Sequence, residues 1–159
     1  MRISRTKSIL AVAGLSITLL SPLAVSHFDD KEVPQSYRQS FFTLMAMNFG
    51  PMVAMMKGEI PWDQSAFEAY ANDLAAVANL NLIRGFPEGS HTGKTRAKPA
   101  IWDNLEDFSQ KNDDLRAATA DLAAAAATGD RAAIGEQFKR TGGACKSCHD
   151  DYKSEDYLN

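Results

Sequence analysis

Apolar residues recur every three or four positions along most of the chain, which is the spacing of an amphipathic helix. In the first such segment, from about Pro34 to Lys57, the apolar positions are Tyr37, Phe41, Leu44, Met45, Phe49, Met52, Met55 and Met56. Pro34 suits a first helical turn, because the N–H that proline lacks has no helical partner there. Gly50-Pro51 predicts a bend or an interruption near the end of this helix.

A second helix is predicted from Asp63 to about Ile83. Its apolar side chains are Phe67, Tyr70, Leu74 and Val77. Asp63 is a good N-cap, because its carboxylate can accept hydrogen bonds from backbone N–H groups in the first turn. Residues 84–98 are rich in Gly, Pro and small polar residues, and this composition predicts one long connection without regular structure.

A third helix is predicted to begin at Pro99 and to end at Gly129, which suits the left-handed position after a helix. Its apolar positions are Ile101, Leu105, Phe108, Leu115 and Leu122. Asp130 is the expected N-cap of a fourth helix. That helix carries Ile134, Phe138, Thr141, Cys145, Cys148 and Tyr152 at four-three-four-three-four spacing. We therefore expect both cysteines to face the core.

These four segments contain few of the residues that favour strands, and we find no convincing strand between them. Helices of this length need to bury their apolar stripes against one another. Short connections favour antiparallel neighbours, so the pattern predicts an all-α fold, an up-down-up-down four-helix bundle. The composition agrees with a globular domain, since 45% of the residues are hydrophobic and 23% are charged.

The first residues of the chain have the features of a secretory signal peptide. A basic start is followed by the apolar run 9–20, and residues 24–26 have the small-x-small form of a cleavage site. The alternative is a membrane anchor, but about a dozen apolar residues fall short of the roughly 20 that span a bilayer. We therefore expect residues 1–26 to be removed, no membrane anchor to remain, and residues 27–159 to form one domain in the periplasm.

The charge balance excludes one class of partner. The chain has 17 basic and 20 acidic residues and a formal net charge of −3. The segment 1–26 holds basic residues and no acidic one, so the mature chain is expected to be more acidic still. A nucleic-acid surface needs a basic stripe to replace phosphate counterions, so we expect no nucleic-acid partner.

The two cysteines of the chain both lie in the motif Cys145-Lys146-Ser147-Cys148-His149. Residues three apart on a helix project to the same side, so two thiols at this spacing can add to the vinyl groups on one edge of a haem. The next residue is rotated by about 100° around the helix. His149 could then reach the iron while the thioethers hold the edge of the ring.

Three other interpretations of the motif compete with haem attachment. A structural zinc site would need two further ligands. A thioredoxin-type redox pair is expected in a βαβ setting, which the pattern lacks. A disulfide between cysteines three apart seldom reaches bonding geometry within a regular helix. Haem attachment is the interpretation that the motif favours.

At these residues the chain resembles the cytochrome c′ family. The likeness rests on Thr141-Gly142-Gly143-Ala144 with the following Cys145–Asp150, on Tyr37-Arg38-Gln39-Ser40 and on Ala97-Lys98-Pro99-Ala100-Ile101-Trp102. It spans nearly the whole mature chain. The resemblance implies a four-helix bundle with one covalently attached haem c per chain.

The resemblance also implies roles for individual residues. Cys145 and Cys148 would be the thioether anchors, His149 the axial iron ligand, Arg38, Gln39 and Arg96 contacts of the haem, and Lys153 the basic neighbour of the proximal histidine. An Arg has a physical reason to bind a propionate, because its guanidinium can hold a carboxylate bidentately. Lys153 supplies a positive charge without that planar fork.

Phe42 decides the expected function. Related bundle cytochromes with two axial ligands carry a Met at this position, and a Phe cannot bind iron. We therefore expect five-coordinate iron with an apolar distal side, which binds NO and CO and also takes part in electron transfer. The alternative is a six-coordinate electron carrier with a Met distal ligand, and Met45 lies on the same helix face as Phe42.

Two expectations concern other proteins. The alanine run 123–127 of the third helix and the exposed part of the first helix suggest a homodimer, which the resemblance also implies. Electron transfer would require a redox partner protein. An enzyme such as a peroxidase is not expected, because nothing near Phe42 supplies the distal His or Arg that polarises bound oxygen.

Overall fold

A computed structural model describes the backbone of residues 32–158 and the side chains of residues 33–158. The predicted signal peptide, residues 1–26, lies outside the described residues. So does the expected start of the mature domain at His27.

The described chain contains four long helices, two short ones and two short strands. In chain order these are α1 (Glu32–Lys57), α2 (Gln64–Ala78), a 3-10 helix (Leu82–Gly85), β1 (Thr95–Ala97), α3 (Ala100–Asp103), α4 (Leu105–Thr128), α5 (Arg131–Tyr152) and β2 (Lys153–Leu158). Helix α1 packs on α2, α2 on α4, and α4 on α5. The predicted four-helix bundle is therefore confirmed.

The core of the bundle is formed by the apolar stripes of the long helices. Its largest fully buried apolar side chains are Phe41, Phe67, Phe108, Met52, Leu74, Leu122 and Ile134. Thr141 is also fully buried, and its hydroxyl donates to the Ala118 carbonyl on α4 at 3.1 Å. Within residues 32–158, no helix combines the length and the apolar character that crossing a membrane requires.

The helix ends follow local sequence signals. The Asp63 carboxylate accepts from the Ala66 N–H at 3.0 Å, which confirms it as the N-cap of α2. Asp130 accepts from the N–H groups of Ala132 and Ala133 at 2.8 and 3.3 Å and caps α5. Gly129 has a φ of 70°, a left-handed conformation that a residue with a Cβ adopts only with strain.

Of the bend or interruption predicted at Gly50-Pro51, the interruption was wrong, because α1 continues through Pro51 to Lys57. Pro51 removes one helical hydrogen bond. The next turn is nevertheless held in place, since Met52 and Met55 are buried in the core. Tertiary packing therefore outweighs the local cost of the proline.

The single third helix was also a wrong prediction, because the chain breaks at Asn104. The backbone there has φ −132° and ψ 46°, outside the helical region. Both the N–H and the side-chain amide of Asn104 donate to the Ala100 carbonyl at 3.1 Å. An amide side chain that bonds the backbone in this way competes with helix propagation, so α3 ends and α4 begins at Leu105.

Residues 79–98 contain more structure than their composition suggested. Helix α2 ends at Ala78 rather than near Ile83, and Leu82–Gly85 forms the 3-10 helix. The absence of strands was a wrong prediction as well, since β1 pairs antiparallel with β2. Strands of three and six residues are too short to show a clear alternating pattern.

Candidate haem-binding site

One cavity of about 760 Å³ opens between α1, α4, α5 and the two strands. This volume lies within the range of roughly 300–1,000 Å³ that is typical of cofactor sites. All eight predicted site residues line it: Arg38, Gln39 and Phe42 from α1, Arg96 from β1, Cys145, Cys148 and His149 from α5, and Lys153 from β2. The fold therefore brings together side chains from opposite ends of the sequence.

Helix α5 presents the two thiols to the cavity. Cys145 and Cys148 are free, half-buried and packed against the apolar core. Burial raises the pKa of the Cys145 thiol. Burial also raises the pKa of Cys148 to about 11, against the opposing positive charge of Lys111. Both thiols are therefore protonated at neutral pH.

The imidazole of His149 stands beside two cations. Desolvation by the surrounding chain lowers its pKa, and the positive charges of Lys153 and Arg96 lower it further, against the opposing charge of Asp150. A lowered pKa favours the neutral ring at pH 7. A neutral imidazole is the form that binds a metal ion.

The side chain of Arg38 is buried between its own helix, α1, and the segment after α2. Its guanidinium donates to the Gly85 carbonyl at 2.6 Å and to the hydroxyl and carbonyl oxygens of Ser90, both at 3.1 Å. It also lies over the rings of Phe86 and Trp102, at 5.1 and 5.6 Å from their centroids. Burial lowers its pKa, but arginine remains charged at neutral pH.

These contacts use three of the five N–H donors of the Arg38 guanidinium. The other two have no partner within residues 33–158. They remain available to a carboxylate of a bound group. The close approach of the Arg38 side chain to residue 85 requires a glycine, because a Cβ there would lie 2.8 Å from the Arg38 Cγ atom.

Phe42 and Gln39 form the α1 side of the cavity and are both exposed. The Phe42 ring is 40% exposed and meets Phe41 edge to face at 5.2 Å. Met45, one helical turn further on, is buried and also lines the cavity. No other methionine in the part of the chain that the structure describes lines it, so Met45 is the methionine placed to compete for the iron.

Asn112 is a cavity residue that sequence reasoning missed. It is 4% exposed, and its Oδ1 atom has no hydrogen-bond partner within the described residues. A buried amide without a partner is rare, and it fits a cavity that holds a further group or an ordered water. The sequence does contain a signal for it. Asn112 lies between Phe108 and Leu115 in the apolar stripe of α4, which is where a buried residue is expected.

Lys111 is a second residue that sequence reasoning missed. Its ammonium group lies 3.0 Å from the Asp151 carboxylate and donates to the Ser147 hydroxyl at 3.1 Å. The side chain thus ties α4 to the turn of α5 that carries the cysteines. Because both partners are local to the motif, Lys111 fixes the position of that turn.

The residues of the cavity fit a haem. Its wall is largely aromatic and aliphatic, which suits a porphyrin, and two thiols and an imidazole lie along one helix. Arginine and lysine side chains at the margin suit carboxylates. In residues 33–158 no group of three or more His, Cys, Asp or Glu side chains is arranged to hold a metal ion, whereas structural zinc takes four such ligands.

Comparison with known proteins agrees with this fit. The family model described as cytochrome c′ matches residues 34–153. Cytochrome c′ of Rubrivivax gelatinosus is 41% identical over 122 residues, which cover 75% of this chain and 92% of that protein. The structure of cytochrome c prime from Shewanella frigidimarina superposes with a TM-score of 0.77 and 39% identity, covering 80% of this chain and 99% of the other.

A further solved structure is a nitric oxide complex of a mutant of cytochrome c prime from Alcaligenes xylosoxidans. It superposes with a TM-score of 0.72 and 34% identity, over 80% of this chain and 98% of that one. The family match, the sequence identities and the shared bundle all point to the same group of proteins. The chain therefore belongs to the cytochrome c′ family, whose cofactor is a covalently attached c-type haem.

Proposed function

We propose that this chain is a periplasmic haem protein whose iron is five-coordinate, binds NO or CO at its open position and takes part in electron transfer. The observation that carries the proposal is the single cavity that joins the α5 motif to Phe42. The haem, when bound, supplies an iron ion that takes up diatomic gases and exchanges one electron.

Helix α5 supplies the attachment and the iron ligand. Cys145 and Cys148 would form thioethers, because their three-residue spacing places both thiols on one side of the helix. His149 would be the only protein ligand of the iron. The cations beside His149 favour its neutral form, and the link from Lys111 to Ser147 and Asp151 holds this turn in place.

The margin of the cavity would bind the haem carboxylates. Arg38 has two N–H donors left after its contacts with Gly85 and Ser90. Gln39 adds an amide from the same helix. Arg96 and Lys153 lie beside His149 and add positive charge at another part of the margin.

Phe42 would cover the distal side of the iron. Its ring offers no donor, acceptor or metal ligand, so the open position excludes water and selects small uncharged molecules. The related protein from Alcaligenes xylosoxidans that was solved with nitric oxide supports a gas ligand. Members of the family are haem-binding carriers or gas-binding proteins, and Phe42 supplies no acid or base for turnover.

A six-coordinate electron carrier is the second candidate function. It is favoured by the position of Met45, which is buried, lines the same cavity and lies three residues after Phe42 on α1. In that case the Met45 sulfur would occupy the position that Phe42 otherwise covers. Methionines at core spacing more often fill space than bind metal.

The place of action rests on the signal features of residues 1–26, which direct export across the inner membrane. The same compartment would hold the redox partner that gives or takes the electron. Two copies of the chain would associate through the exposed face of α1. The long exposed apolar side chains of that face are Leu44 and Met47.

Covalent attachment is tested by extraction with acidified acetone. The haem should stay with the polypeptide, and it should be released when Cys145 and Cys148 are both replaced by Ala. Lys146→Ala, between the two cysteines, keeps both thiols and should retain the haem. Haem from the unmodified protein in the organic phase would end the proposal of thioether attachment.

Coordination is tested by resonance Raman spectroscopy of the ferrous protein at neutral pH. A single imidazole is a weak field, so the expected marker bands are high-spin and five-coordinate. Phe42→Ala should speed CO binding because it opens the distal space. Phe42→Met should shift the bands toward the low-spin, six-coordinate form. If the unmodified protein already gives low-spin bands without gas, the Met45 alternative becomes the better one.

A further inference from the structure

The strand β2 forms a strap directly after the helix that carries His149. We call residues 153–158 the C-terminal strap. It runs antiparallel to β1, with Ala97 opposite Lys153 and Thr95 opposite Leu158. The match to the cytochrome c′ family model stops at Lys153, so residues 154–158 are structure that the family match does not account for.

The Arg96 side chain of β1 and the backbone of Lys98 hold the C-terminal strap in place. The Arg96 Nε atom donates to the Ser154 carbonyl at 2.9 Å, and its guanidinium also donates to the Glu155 carbonyl. The Lys98 N–H donates to the Tyr152 carbonyl at 3.0 Å, just before the strap begins. Arg96 is thus both a cavity residue and the main anchor of the strap.

Two strap residues line the cavity, Lys153 at the start of the strap and Tyr157 near its end. Tyr157 lines the same cavity as His149 and Arg96. Its ring lies under two cations, with the Lys94 ammonium at 5.3 Å and the Arg96 guanidinium carbon at 5.9 Å from the ring centroid. Tyr157 is 58% exposed, and each such cation–π contact at an exposed site contributes modestly to the position of the ring.

The segment that pairs with the strap is connected to the α1 side of the cavity. The Gln35 amide on α1 donates to the Lys94 carbonyl, just before β1. Gln35 itself lines the cavity, as does Tyr157. The margin is therefore continuous from the first turns of α1, across β1, to the strap beside His149.

We propose that the C-terminal strap places the Tyr157 ring across the margin of the cavity beside His149 and restricts the access of dissolved molecules to the haem edge. This inference rests on the proposed haem site, but it does not depend on whether the sixth iron position is open. The match to the family model ends at Lys153 and does not include Tyr157.

The strap covers the margin of the cavity and is not part of the core. Of its six residues only Ser154 and Leu158 are half-buried, and the rest are exposed. Segments with few buried contacts open at low free energy without unfolding the whole protein. The contacts of Arg96 and Tyr157 therefore determine how long the strap stays in place over the margin of the cavity.

The test is the rate at which the ferrous protein is oxidised by two bulky reagents of opposite charge, ferricyanide and tris(phenanthroline)cobalt(III). Each takes one electron from the haem at its exposed edge. Tyr157→Ala, and a chain shortened after Lys153, should raise both rate constants severalfold. Tyr157→Phe keeps the ring and should stay near the unmodified rates. Asp156→Ala, which alters an exposed neighbour, is the matched control.

Two results would overturn the proposal. Unchanged rates in Tyr157→Ala and in the shortened chain would mean that the ring covers nothing. Rates that rise for one reagent and fall for the other would mean that the variants alter the local charge and not the cover.

Two further measurements separate this inference from the proposed function. Resonance Raman spectra of the same samples report the coordination number, so a six-coordinate result would reject open-site gas binding while the oxidation rates still test the strap. Amide hydrogen exchange gives a readout independent of electron transfer. Slow exchange at residues 153–158 supports a closed strap, and exchange at the rate of an unprotected chain would contradict it.

Discussion

The Arg38 side chain has a structural role, and the proposed function gives it a role in binding. Its contacts with Gly85 and Ser90 hold the segment after α2 against the first helix, and two of its N–H donors have no partner within residues 33–158. Loss of the guanidinium would disturb the local packing and, under the proposed function, the binding of a haem carboxylate. A variant at Arg38 cannot separate these two effects. Gln39 is exposed and lines the same cavity, so a variant there is better suited to test the binding alone.

Tyr152 is a second residue beside the cavity with a defined electrostatic partner. Its phenol donates to the Asp107 carboxylate at 2.6 Å, and this hydrogen bond raises the pKa of Tyr152 to about 12. The folded protein therefore holds the phenol proton more tightly than the unfolded chain, in which the pKa is about 10. The resulting stabilisation is complete below about pH 10 and is lost as the pH rises toward 12.

The prediction is a difference between the unmodified protein and Tyr152→Phe in alkaline solution. The unmodified protein should be the more stable of the two at neutral pH, and this advantage should shrink between about pH 10 and 12. Urea unfolding midpoints measured across that interval check the expectation. An advantage that stays constant through the interval would show that the Asp107 contact contributes no pH-dependent stability.

At the scale of elements, the turn between α4 and α5 positions the whole attachment motif. Gly129 ends α4 in the left-handed region, and Asp130 begins α5 by accepting two backbone N–H groups. Helix α5 then presents Cys145, Cys148 and His149 to the cavity. The direction of α5 is thus set more than a dozen residues before the residues that would carry the chemistry.

Asp130→Ala should lower the free energy of unfolding by about 1 kcal/mol, which is typical for the loss of an N-cap side chain. Asp130→Ser retains an oxygen that can cap the helix and should lose much less. Chemical denaturation of the haem-loaded protein measures both variants. Equal stability of the Ala and Ser variants would show that the cap at Asp130 adds nothing to α5.

At the scale of the whole molecule, the exposed face of α1 is a candidate surface for a second copy of the chain. Leu44 and Met47 are 43% and 65% exposed. The alanine run of α4 is partly used inside the bundle, since Ala125 and Ala126 are buried in the core. Part of that run therefore serves packing within one chain, and α1 is the stronger candidate for the dimer surface.

Sedimentation of the mature protein at micromolar concentration should give about twice the mass of one chain. Replacing both Leu44 and Met47 by Glu places charges on the apolar face and should give the monomer mass. The same exchange at Leu80 and Leu105, which are exposed outside α1, should leave the dimer intact. A monomer of the unmodified protein throughout that concentration range would reject the proposed homodimer.

The sequence by itself determined the features that depend on neighbours in the chain. Asp63, Gly129 and Asp130 mark helix ends through contacts of two to four residues, and the structure confirms each of them. The apolar period predicted the four long helices, because burial follows the helical repeat. The Cys-x-x-Cys-His motif also pointed to the family, because the two thiols and the imidazole lie within about one turn of helix.

Only the tertiary structure decided the features that join distant parts of the chain. Arg38 meets Gly85 across 47 residues, and Arg96 meets Ser154 across 58 residues. No local pattern reports such contacts, so the pairing of β1 with β2 could not be predicted. The continuity of α1 at Pro51 was decided in the same way, because the packing of Met52 and Met55 lies outside the reach of local propensity.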